Sequence, residues 1–262
     1  MNDGVDDKDT GQPRTNLRLY VEADLTPGAV VGLSHEQAHY LQHVMRRGVG
    51  DAVLLFNGRD GEWAARIDGL GRGWCSAALV RQSRPQISEP DVWLVFAPIK
   101  RARLDFIAEK ATELGVSAIW PVFTRRTIVS RVNADRLRAN AVEAAEQTHR
   151  LSVPQMFEAV IWPELLAKWP RDRHMIVCDE TGAGAPIAAA LGEIPTEGRY
   201  AIVTGPEGGF EAGELDALSG VPLITRVTLG PRLLRADTAA LAALACFQAL
   251  AGDWRKKPRA KS

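Results

Sequence analysis

The chain has 262 residues, and its 32 Lys and Arg balance 32 Asp and Glu, so the formal net charge at pH 7 is zero. This length predicts one large domain or two modest ones. A hydrophobic fraction of 46% with a charged fraction of 24% is ordinary for globular proteins and excludes bulk disorder and fibrous classes. No uninterrupted run of about 18 apolar residues occurs, so the sequence predicts no transmembrane helix. A neutral total argues at first against nucleic acid, for which a basic surface is the usual signal.

The three cysteines, Cys75, Cys178 and Cys246, are far apart and form no Cys-x-x-Cys pair. The sequence therefore predicts neither a disulfide framework nor a cysteine zinc site. The first residues are polar and acidic, unlike a secretory signal peptide. We expect a cytoplasmic protein in which residues 1–16 form a disordered lead-in.

The first part of the chain, 17–84, contains short apolar runs separated by turn signals. The turn-rich segment 57–61 lies between an apolar run and an alternating one, which predicts a β-hairpin. Ser34 and Gln37 have the spacing of a capping box, so a helix is predicted to begin there. The face that this helix buries is predicted to carry Ala38, Leu41, Val44 and Met45. A small β-barrel with one helix fits this part of the chain.

A polar, proline-containing segment at 81–90 separates this part from the rest. Beyond it, apolar strand candidates alternate with helices, which predicts an α/β fold with a parallel sheet covered on both faces. The predicted strands are 92–97, 118–123, 174–179, 200–204 and 224–229. The predicted helices are about 101–114, 134–149 and 237–250. The last helix is apolar almost all round, so we expect it to be buried inside the domain or in a subunit interface.

The segment 35–39 reads His-Glu-Gln-Ala-His, which matches the H-E-x-x-H pattern of zinc peptidases. That chemistry needs two histidines one helical turn apart, a third ligand, and the glutamate as base. No continuation supplies the third ligand, and His35 directly follows the predicted capping residue. We interpret the segment as a polar helix face and expect no metal. Metal analysis of the protein separates the two readings.

Two glycine-containing segments directly follow predicted strands. The first, at 204–210, reads Thr-Gly-Pro-Glu-Gly-Gly-Phe, and the second, at 229–239, reads Leu-Gly-Pro-Arg-Leu-Leu-Arg-Ala-Asp-Thr-Ala. Glycines allow backbone amides to approach a ligand, and open parallel sheets bind ligands at the carboxyl ends of their strands. A tight turn would explain the glycines but not Glu207, whereas helix capping alone would explain Asp237. Two such segments in succession favour a shared pocket.

Four segments together resemble one family. They are KATELGV at 110–116, EQTHR followed by VP at 146–154, TGPEGGF at 204–210 and LGPRLLRADTA at 229–239. In this order they are similar to the motifs of RsmE-type methyltransferases of the SPOUT superfamily, which methylate N3 of a uridine in 16S ribosomal RNA. Residues 18–22 and 39–58 resemble the family's N-terminal PUA-like barrel. The family usually has glutamate in place of Asp237 and isoleucine in place of Leu233.

The resemblance implies a domain organisation. An α/β SPOUT domain at 85–254, with a parallel sheet and a deep trefoil knot, would follow a small PUA-like β-barrel at 17–84 that binds RNA. A basic tail would occupy 255–262. Knots are nearly absent from protein folds, so topology rules alone would not suggest one. The implied partners are 16S ribosomal RNA or the small ribosomal subunit and a second copy of the chain, paired through the knot domain, with neither a membrane nor a metal.

The cofactor that the resemblance implies is S-adenosylmethionine. We expect it to be held by Glu180, Thr204, Gly205, Glu207, Gly208, Leu229, Gly230, Arg232 and Leu234. Uridine N3 must lose its proton to accept a methyl group, and a carboxylate within hydrogen-bond distance could remove it. Glu207 and Asp237 are the candidates for this base. Arg235 is the candidate for stabilising negative charge on the uracil oxygens.

The neutral net charge is a sum of unlike regions. Residues 161–254 carry −5 and residues 255–262 carry +5, while 100–138 hold nine basic and four acidic side chains. A local basic surface is therefore compatible with RNA. The side chains that we expect to contact RNA are Arg18, Arg46, Arg47, Lys100, Arg101, Arg103, Arg125, Arg126 and Arg150. Two alternatives remain at this point: a related SPOUT enzyme acting on transfer RNA or a ribose 2′-oxygen, and a non-catalytic RNA-binding protein.

Overall fold

The computed structural model describes residues 15–256, except for the side chain of Arg101. The expected lead-in at 1–16 and the expected basic tail at 255–262 thus lie almost wholly outside the described residues. The chain divides into two compact units. Among the described residues, unit 1 combines 15–88 with 145–153, and unit 2 combines 89–144 with 154–256. The sequence did not predict that 145–153 would belong to unit 1.

Unit 1 is built on a five-stranded sheet within the described range. Its strands are β1 (Arg18–Tyr20), β2 (Val30–Leu33), β3 (Ala52–Phe56), β4 (Glu62–Gly71) and β5 (Trp74–Arg84). They lie in the order β1-β3-β4-β5-β2, with β1 parallel to β3 and the other neighbours antiparallel. β3 and β4 form the hairpin that the turn-rich segment predicted.

The helix of unit 1 begins where the capping pattern predicts. The Gln37 N–H donates to Ser34 Oγ at 3.1 Å, and the Ser34 N–H donates to Gln37 Oε1 at 3.0 Å. Helix α1 (His35–His39) then continues as a π-helix (Tyr40–Val44). The prediction that Val44 is buried is wrong, since it is 59% exposed. The wider π-helical turn replaces the 3.6-residue repeat on which that prediction rested.

A buried ion cluster in unit 1 corrects two predicted RNA contacts. Arg18 Nε donates to Glu62 Oε2 at 2.7 Å, and the rest of its guanidinium donates to the carbonyl oxygens of Ala145, Glu146 and Arg150. The Arg18 residue is only 3% exposed, and Arg150 is 7% exposed with its Nη2 3.1 Å from Ser152 Oγ. Neither guanidinium is available to a phosphate, so both predictions are wrong.

Unit 2 contains a sheet whose strand pairs are all parallel in the described residues. Its strands are β6 (Asp91–Phe96), β7 (Ala118–Phe123), β8 (Gln155–Met156), β9 (Val160–Ile161), β10 (Arg173–Cys178), β11 (Ala185–Pro186), β12 (Arg199–Thr204) and β13 (Ile224–Thr228). The order is β11-β13-β10-β12-β6-β7-β8, and β9 also pairs with β7. The predicted α/β class with a parallel sheet is confirmed, and the knot remains a prediction.

Six helices begin in unit 2 within the described residues, and the last residues of α3 belong to unit 1. They are α2 (Arg101–Glu113), α3 (Ala134–Gln147), α4 (Trp162–Ala167), α5 (Ile187–Glu193), α6 (Ala212–Asp216) and α7 (Ala236–Leu250), with 3₁₀ turns at Ala217–Gly220 and Asp253–Arg255. The three longest were predicted to within two residues at each end. The others have at most seven residues, which is too short to display a clear helical repeat.

Helices cover both faces of this sheet. Leu94 packs in one apolar cluster with Phe247 of α7, whereas its neighbour Val95 packs in another with Trp162 and Leu165 of α4. Burial of α7 inside the domain is confirmed for the side of the helix that includes Phe247, which is 1% exposed. With both faces covered, the carboxyl edge of the strands is where a parallel sheet presents a ligand site.

Candidate functional site

A pocket of about 410 Å³ lies at the carboxyl edge of the sheet in unit 2. Loops that follow three adjacent strands, β10, β12 and β13, form its walls. Its volume falls in the usual range for small-molecule sites, about 300–1,000 Å³. The lining residues are Cys178, Asp179, Glu180, Gly182, Thr204, Gly205, Pro206, Glu207, Gly209, Thr228, Leu229, Gly230, Pro231, Arg232, Leu233, Leu234, Ala236 and Ala239.

The residues expected to hold a cofactor meet in this pocket, with one exception. Gly208 is absent from the lining, and its carbonyl oxygen accepts a hydrogen bond from Arg126 Nη1 at 2.8 Å. Among the lining residues that the sequence did not name as cofactor contacts are Asp179, Cys178 and Gly209. Of these, Asp179 carried a usable signal, since it is an acidic residue directly after a buried strand.

The loops after β10 and β12 are tied together by a carboxylate. Glu180 Oε1 accepts the backbone N–H of Phe210 at 2.8 Å. Gly209 lies between these groups with φ +73°, and a Cβ at this position would clash with Glu180 Oε1. Only glycine suits both the left-handed backbone and the close approach. The second glycine of the Gly-Gly pair is therefore needed for the shape of the pocket wall.

Asp179 is a buried carboxylate on the pocket wall. Its Oδ1 accepts the Thr181 N–H at 2.9 Å and the Thr181 hydroxyl at 2.7 Å, and its Oδ2 accepts Arg226 Nε at 2.8 Å. Burial alone would raise the pKa of Asp179, but the hydrogen bonds from Thr181 and the Arg226 guanidinium outweigh it and lower the pKa below its ordinary value. Asp179 is therefore an ionised anchor for the β10 loop at neutral pH.

Cys178 and Gly230 contribute a neutral side chain and bare backbone to the wall. Burial raises the pKa of the Cys178 thiol to about 12, so it is uncharged at neutral pH and is not a nucleophile. Gly230, in the loop after β13, has φ +98°, and no atom lies within 4 Å of a Cβ built on it. This residue leaves the backbone of the loop open toward the pocket.

An arginine of α2 stands between the two candidate bases. Arg103 Nη1 donates to Glu207 Oε1 at 3.0 Å, and Arg103 Nε lies 3.7 Å from Asp237 Oδ2. Glu207 lines the pocket and Asp237 does not. Asp237 Oδ1 instead accepts the N–H of Thr238 at 2.9 Å. The sequence had placed Arg103 among the RNA contacts and did not predict its pairing with the bases.

Arg235 is the N-cap residue of α7, and its side chain is exposed. Its carbonyl oxygen accepts the Ala239 N–H at 2.8 Å. It does not line the pocket, although Leu234 and Ala236 on either side do. This places Arg235 at the margin of the site, where a macromolecular substrate has access to it.

The other predicted RNA contacts lie at the surface to different degrees. Arg46, Lys100, Arg125 and Arg126 are exposed, and Arg47 is half-buried. Among them, Arg126 is hydrogen-bonded to the loop after β12, through the carbonyl oxygen of Gly208. The side chain of Arg101 lies outside the described residues.

The H-E-x-x-H segment lies in unit 1 and far along the chain from the pocket residues. His35 Nδ1 is 3.2 Å from the Gly73 carbonyl oxygen, and the rings of His39 and His43 are tilted by 42° with centroids 4.7 Å apart. In the part of the chain that the structure describes, no three His, Cys, Asp or Glu side chains are grouped to hold a metal ion. Across 15–256, no helix has the length and apolar character needed to cross a membrane.

Comparison with known proteins identifies the class. Residues 87–248 match the family model of the RNA methyltransferase domain, and residues 33–76 match that of the RNA methyltransferase PUA domain. The chain belongs to the RNA methyltransferase family. Within this family, the resemblance to the RsmE type is confirmed by the relatives.

The relatives share most of their length with the chain. Ribosomal RNA small subunit methyltransferase E from Rickettsia conorii is 32% identical over 87% of this chain and 93% of its own. The protein of the same name from Synechocystis is 30% identical over 89% of this chain and 77% of its own. The crystal structure of the Neisseria gonorrhoeae protein of that name, bound to S-adenosyl methionine, superposes with a TM-score of 0.80 at 29% identity, over 91% of this chain and 99% of that one.

Proposed function

We propose that this chain transfers a methyl group from S-adenosylmethionine to N3 of a uridine in the 16S ribosomal RNA of the small subunit. The observation that carries the proposal is the pocket at the carboxyl edge of the sheet, where Glu207 and two glycine-containing loops meet. The names of the full-length relatives and the S-adenosyl methionine in the Neisseria gonorrhoeae structure support it.

The pocket fits the cofactor in size and in chemistry. Thr204, Gly205, Leu229 and Gly230 line it, and Gly230 itself adds no side chain to the wall. Backbone groups at such positions suit the polar edges of an adenosine, and the carboxylate of Glu180 lies in the same wall. When bound, S-adenosylmethionine supplies an electrophilic methyl group on a sulfonium sulfur.

Glu207 is the better of the two candidate bases. Its carboxylate is on the pocket wall, while Asp237 is off the wall and is bonded to its own helix terminus. In the proposed reaction Glu207 accepts the N3 proton, and N3 of the uridine forms the new bond to the methyl carbon as the carbon–sulfur bond breaks. A carboxylate must be within about 2.6–3.2 Å of the proton-bearing atom to do this. Arg235, exposed beside the pocket, would stabilise the charge that develops on the uracil oxygens.

Nucleoside mass spectrometry of 16S ribosomal RNA from a strain lacking this chain tests the proposal. We expect 3-methyluridine to disappear and to return when the wild-type chain is supplied, but not with Glu207→Gln. Unchanged 3-methyluridine would rule out the proposed substrate. Loss of a methylated nucleoside from transfer RNA, or of a 2′-O-methyl group, would favour the related SPOUT activity instead. If calorimetry detected no binding of S-adenosylmethionine, the remaining alternative would be a non-catalytic RNA-binding protein.

The proposal extends to the organisation of the protein. We propose that the barrel at 17–84 binds RNA, that 85–254 catalyses the reaction through a trefoil-knotted fold, and that the protein works in the cytoplasm as a homodimer. The homodimer rests on the resemblance to the family, and unit 2 exposes the apolar side chains Ile128, Leu233 and Leu250 to 83%, 84% and 40%. Sedimentation equilibrium should give twice the 28.5 kDa chain mass. A monomer at micromolar concentration would contradict the dimer.

A further inference from the structure

Arg103 joins three separate elements at the edge of the pocket. It is the third residue of α2, Glu207 belongs to the loop after β12, and Asp237 lies in the first turn of α7. Its guanidinium is the described cation that contacts both carboxylates, at 3.0 Å and 3.7 Å. One side chain therefore connects the wall residue Glu207 to the helix that begins beside the pocket.

Stability alone does not account for this contact. The Arg103 side chain is 34% exposed and that of Glu207 is 49% exposed. Ion pairs with this much exposure contribute little to folding, because water and salt screen them and two long side chains must be ordered. The two carboxylates would also repel each other without a cation between them. The ion pair with Arg103 instead fixes the position of the Glu207 carboxylate.

We propose that Arg103 is a positioning residue for methyl transfer, which holds the Glu207 carboxylate at the pocket in the place where it meets the N3 proton. This inference rests on the proposed function and adds a residue to it. Arg103 itself exchanges no proton, because a guanidinium stays protonated in proteins. Its effect must therefore pass through the carboxylate, and a displacement of about 1 Å in a reacting group can slow a reaction about 100-fold.

A double-mutant cycle tests the inference with purified full-length enzyme and small-subunit RNA. We expect Arg103→Gln to lower kcat by about 10- to 100-fold, with the Kd for S-adenosylmethionine, the KM for RNA and the Tm unchanged. Arg103→Lys should recover part of the lost kcat, because it restores the charge without the planar fork. The double variant with Glu207→Gln should be no slower than Glu207→Gln alone, since contacting residues of one unit are not additive.

The matched control is Arg199→Gln. Arg199 is also a surface arginine of unit 2 with a carboxylate partner, Asp172 at 2.9 Å, but it lies at the opposite end of β12 from the pocket loop. Its kcat should equal that of the wild type. Multiplicative effects of Arg103→Gln and Glu207→Gln would overturn the inference, as would a change confined to the KM for RNA, which would indicate a phosphate contact. If the wild-type enzyme methylates no RNA, the proposed function fails first and this inference falls with it.

Discussion

At the scale of single residues, the pocket depends on positions that tolerate no side chain. Gly209 combines a positive φ with a carboxylate at the place where its Cβ would lie. That carboxylate, on Glu180, is the one that accepts the Phe210 N–H. A side chain at Gly209 therefore alters the backbone of the loop after β12. It also displaces Glu180, which anchors that loop to the one after β10.

We expect Gly209→Ala to lower the affinity for S-adenosylmethionine about tenfold or more. The alanine strains the loop in the conformation that binds the cofactor, and each 1.4 kcal/mol of strain lowers the affinity about tenfold. Isothermal titration calorimetry measures this directly. Gly213→Ala is the control, since Gly213 lies in α6 and a Cβ there meets nothing within 4 Å. It should leave the affinity unchanged. Equal affinities for the two variants would show that the loop does not need this geometry.

Arg235 offers a second prediction at the same scale. Its side chain is exposed and lies outside the pocket wall. We expect Arg235→Ala to leave the Kd for S-adenosylmethionine within about twofold and to lower kcat by at least tenfold, as loss of a charge-stabilising donor does. Single-turnover assays at saturating cofactor separate the two effects. A fall in cofactor affinity with unchanged turnover of the bound complex would show that Arg235 has no role in the methyl transfer.

At the scale of elements, one buried ion cluster links three strands of unit 1. Glu62, at the start of β4, accepts Arg18 Nε of β1 and Arg84 Nη2 of β5, both at 2.7 Å. Arg18 in turn donates to the carbonyl oxygens of Ala145 and Glu146 at the end of α3. Strands β1, β4 and β5 and the segment 145–153 therefore share a single network of ion pairs and hydrogen bonds.

Replacing the buried carboxylate should weaken unit 1 strongly. Glu62→Gln leaves two guanidinium groups without a counter-charge, which typically costs about 3–5 kcal/mol of unfolding free energy. Hydrogen exchange at the β3–β4 amides reports unit 1 separately from unit 2. Glu36→Gln, at an exposed position in α1, should change that free energy by no more than about 0.5 kcal/mol. Similar exchange rates in the two variants would contradict the role of the cluster.

The same cluster predicts a pH dependence. Burial alone would raise the pKa of Glu62, but Arg84 and Arg18 outweigh it and hold the pKa below its ordinary value. Its contribution to stability is therefore complete above the unfolded-state pKa of glutamate, about 4.3, and is lost as the pH falls through the lower folded-state pKa. Acid titration of the exchange rates should show this loss in the wild type. Glu62→Gln should show a shallower dependence in that range.

The elements also show what sequence reasoning can and cannot reach. The long strands and the helices α2, α3 and α7 were predictable, because apolar periodicity is local. The glycine-containing loops were also predictable, because their pattern of residues is local in the sequence. The pairing of Arg103 with Glu207 spans 104 residues, and nothing near either residue signals it. Arg18 likewise reads as an ordinary surface cation in sequence, since its burial depends on carbonyl groups 127 or more positions away.

At the scale of the whole molecule, a zero net charge does not prevent RNA binding. Most of the described basic side chains that remain as candidates, Lys100 and Arg126 among them, are exposed, while the acidic excess lies in 161–254. Phosphate contacts release counterions, so each one adds about 0.7–0.9 to the slope of log affinity against log salt. Binding should therefore weaken steeply with salt in spite of the neutral total.

We expect Lys100→Gln and Arg126→Gln each to reduce that slope by about 0.7–0.9, the value of one phosphate contact. Filter binding of RNA between low and high salt measures the slope. Lys168→Gln is the charge-matched control, at an exposed position after α4 outside the candidate set. It should leave the slope unchanged. An identical slope in all three variants would exclude Lys100 and Arg126 as phosphate contacts.

The membership of 145–153 in unit 1 has a consequence for the order of events during synthesis. Domains generally fold as units as they leave the ribosome, with the N-terminal one first. Unit 1 is incomplete when Ser88 emerges, because the carbonyl oxygens that satisfy Arg18 lie at Ala145, Glu146 and Arg150. At about 5–20 residues per second, the wait for that segment is roughly 3–13 s. The first part of unit 2, 89–144, therefore leaves the ribosome before unit 1 is complete, while the larger part, from 154 onward, follows it.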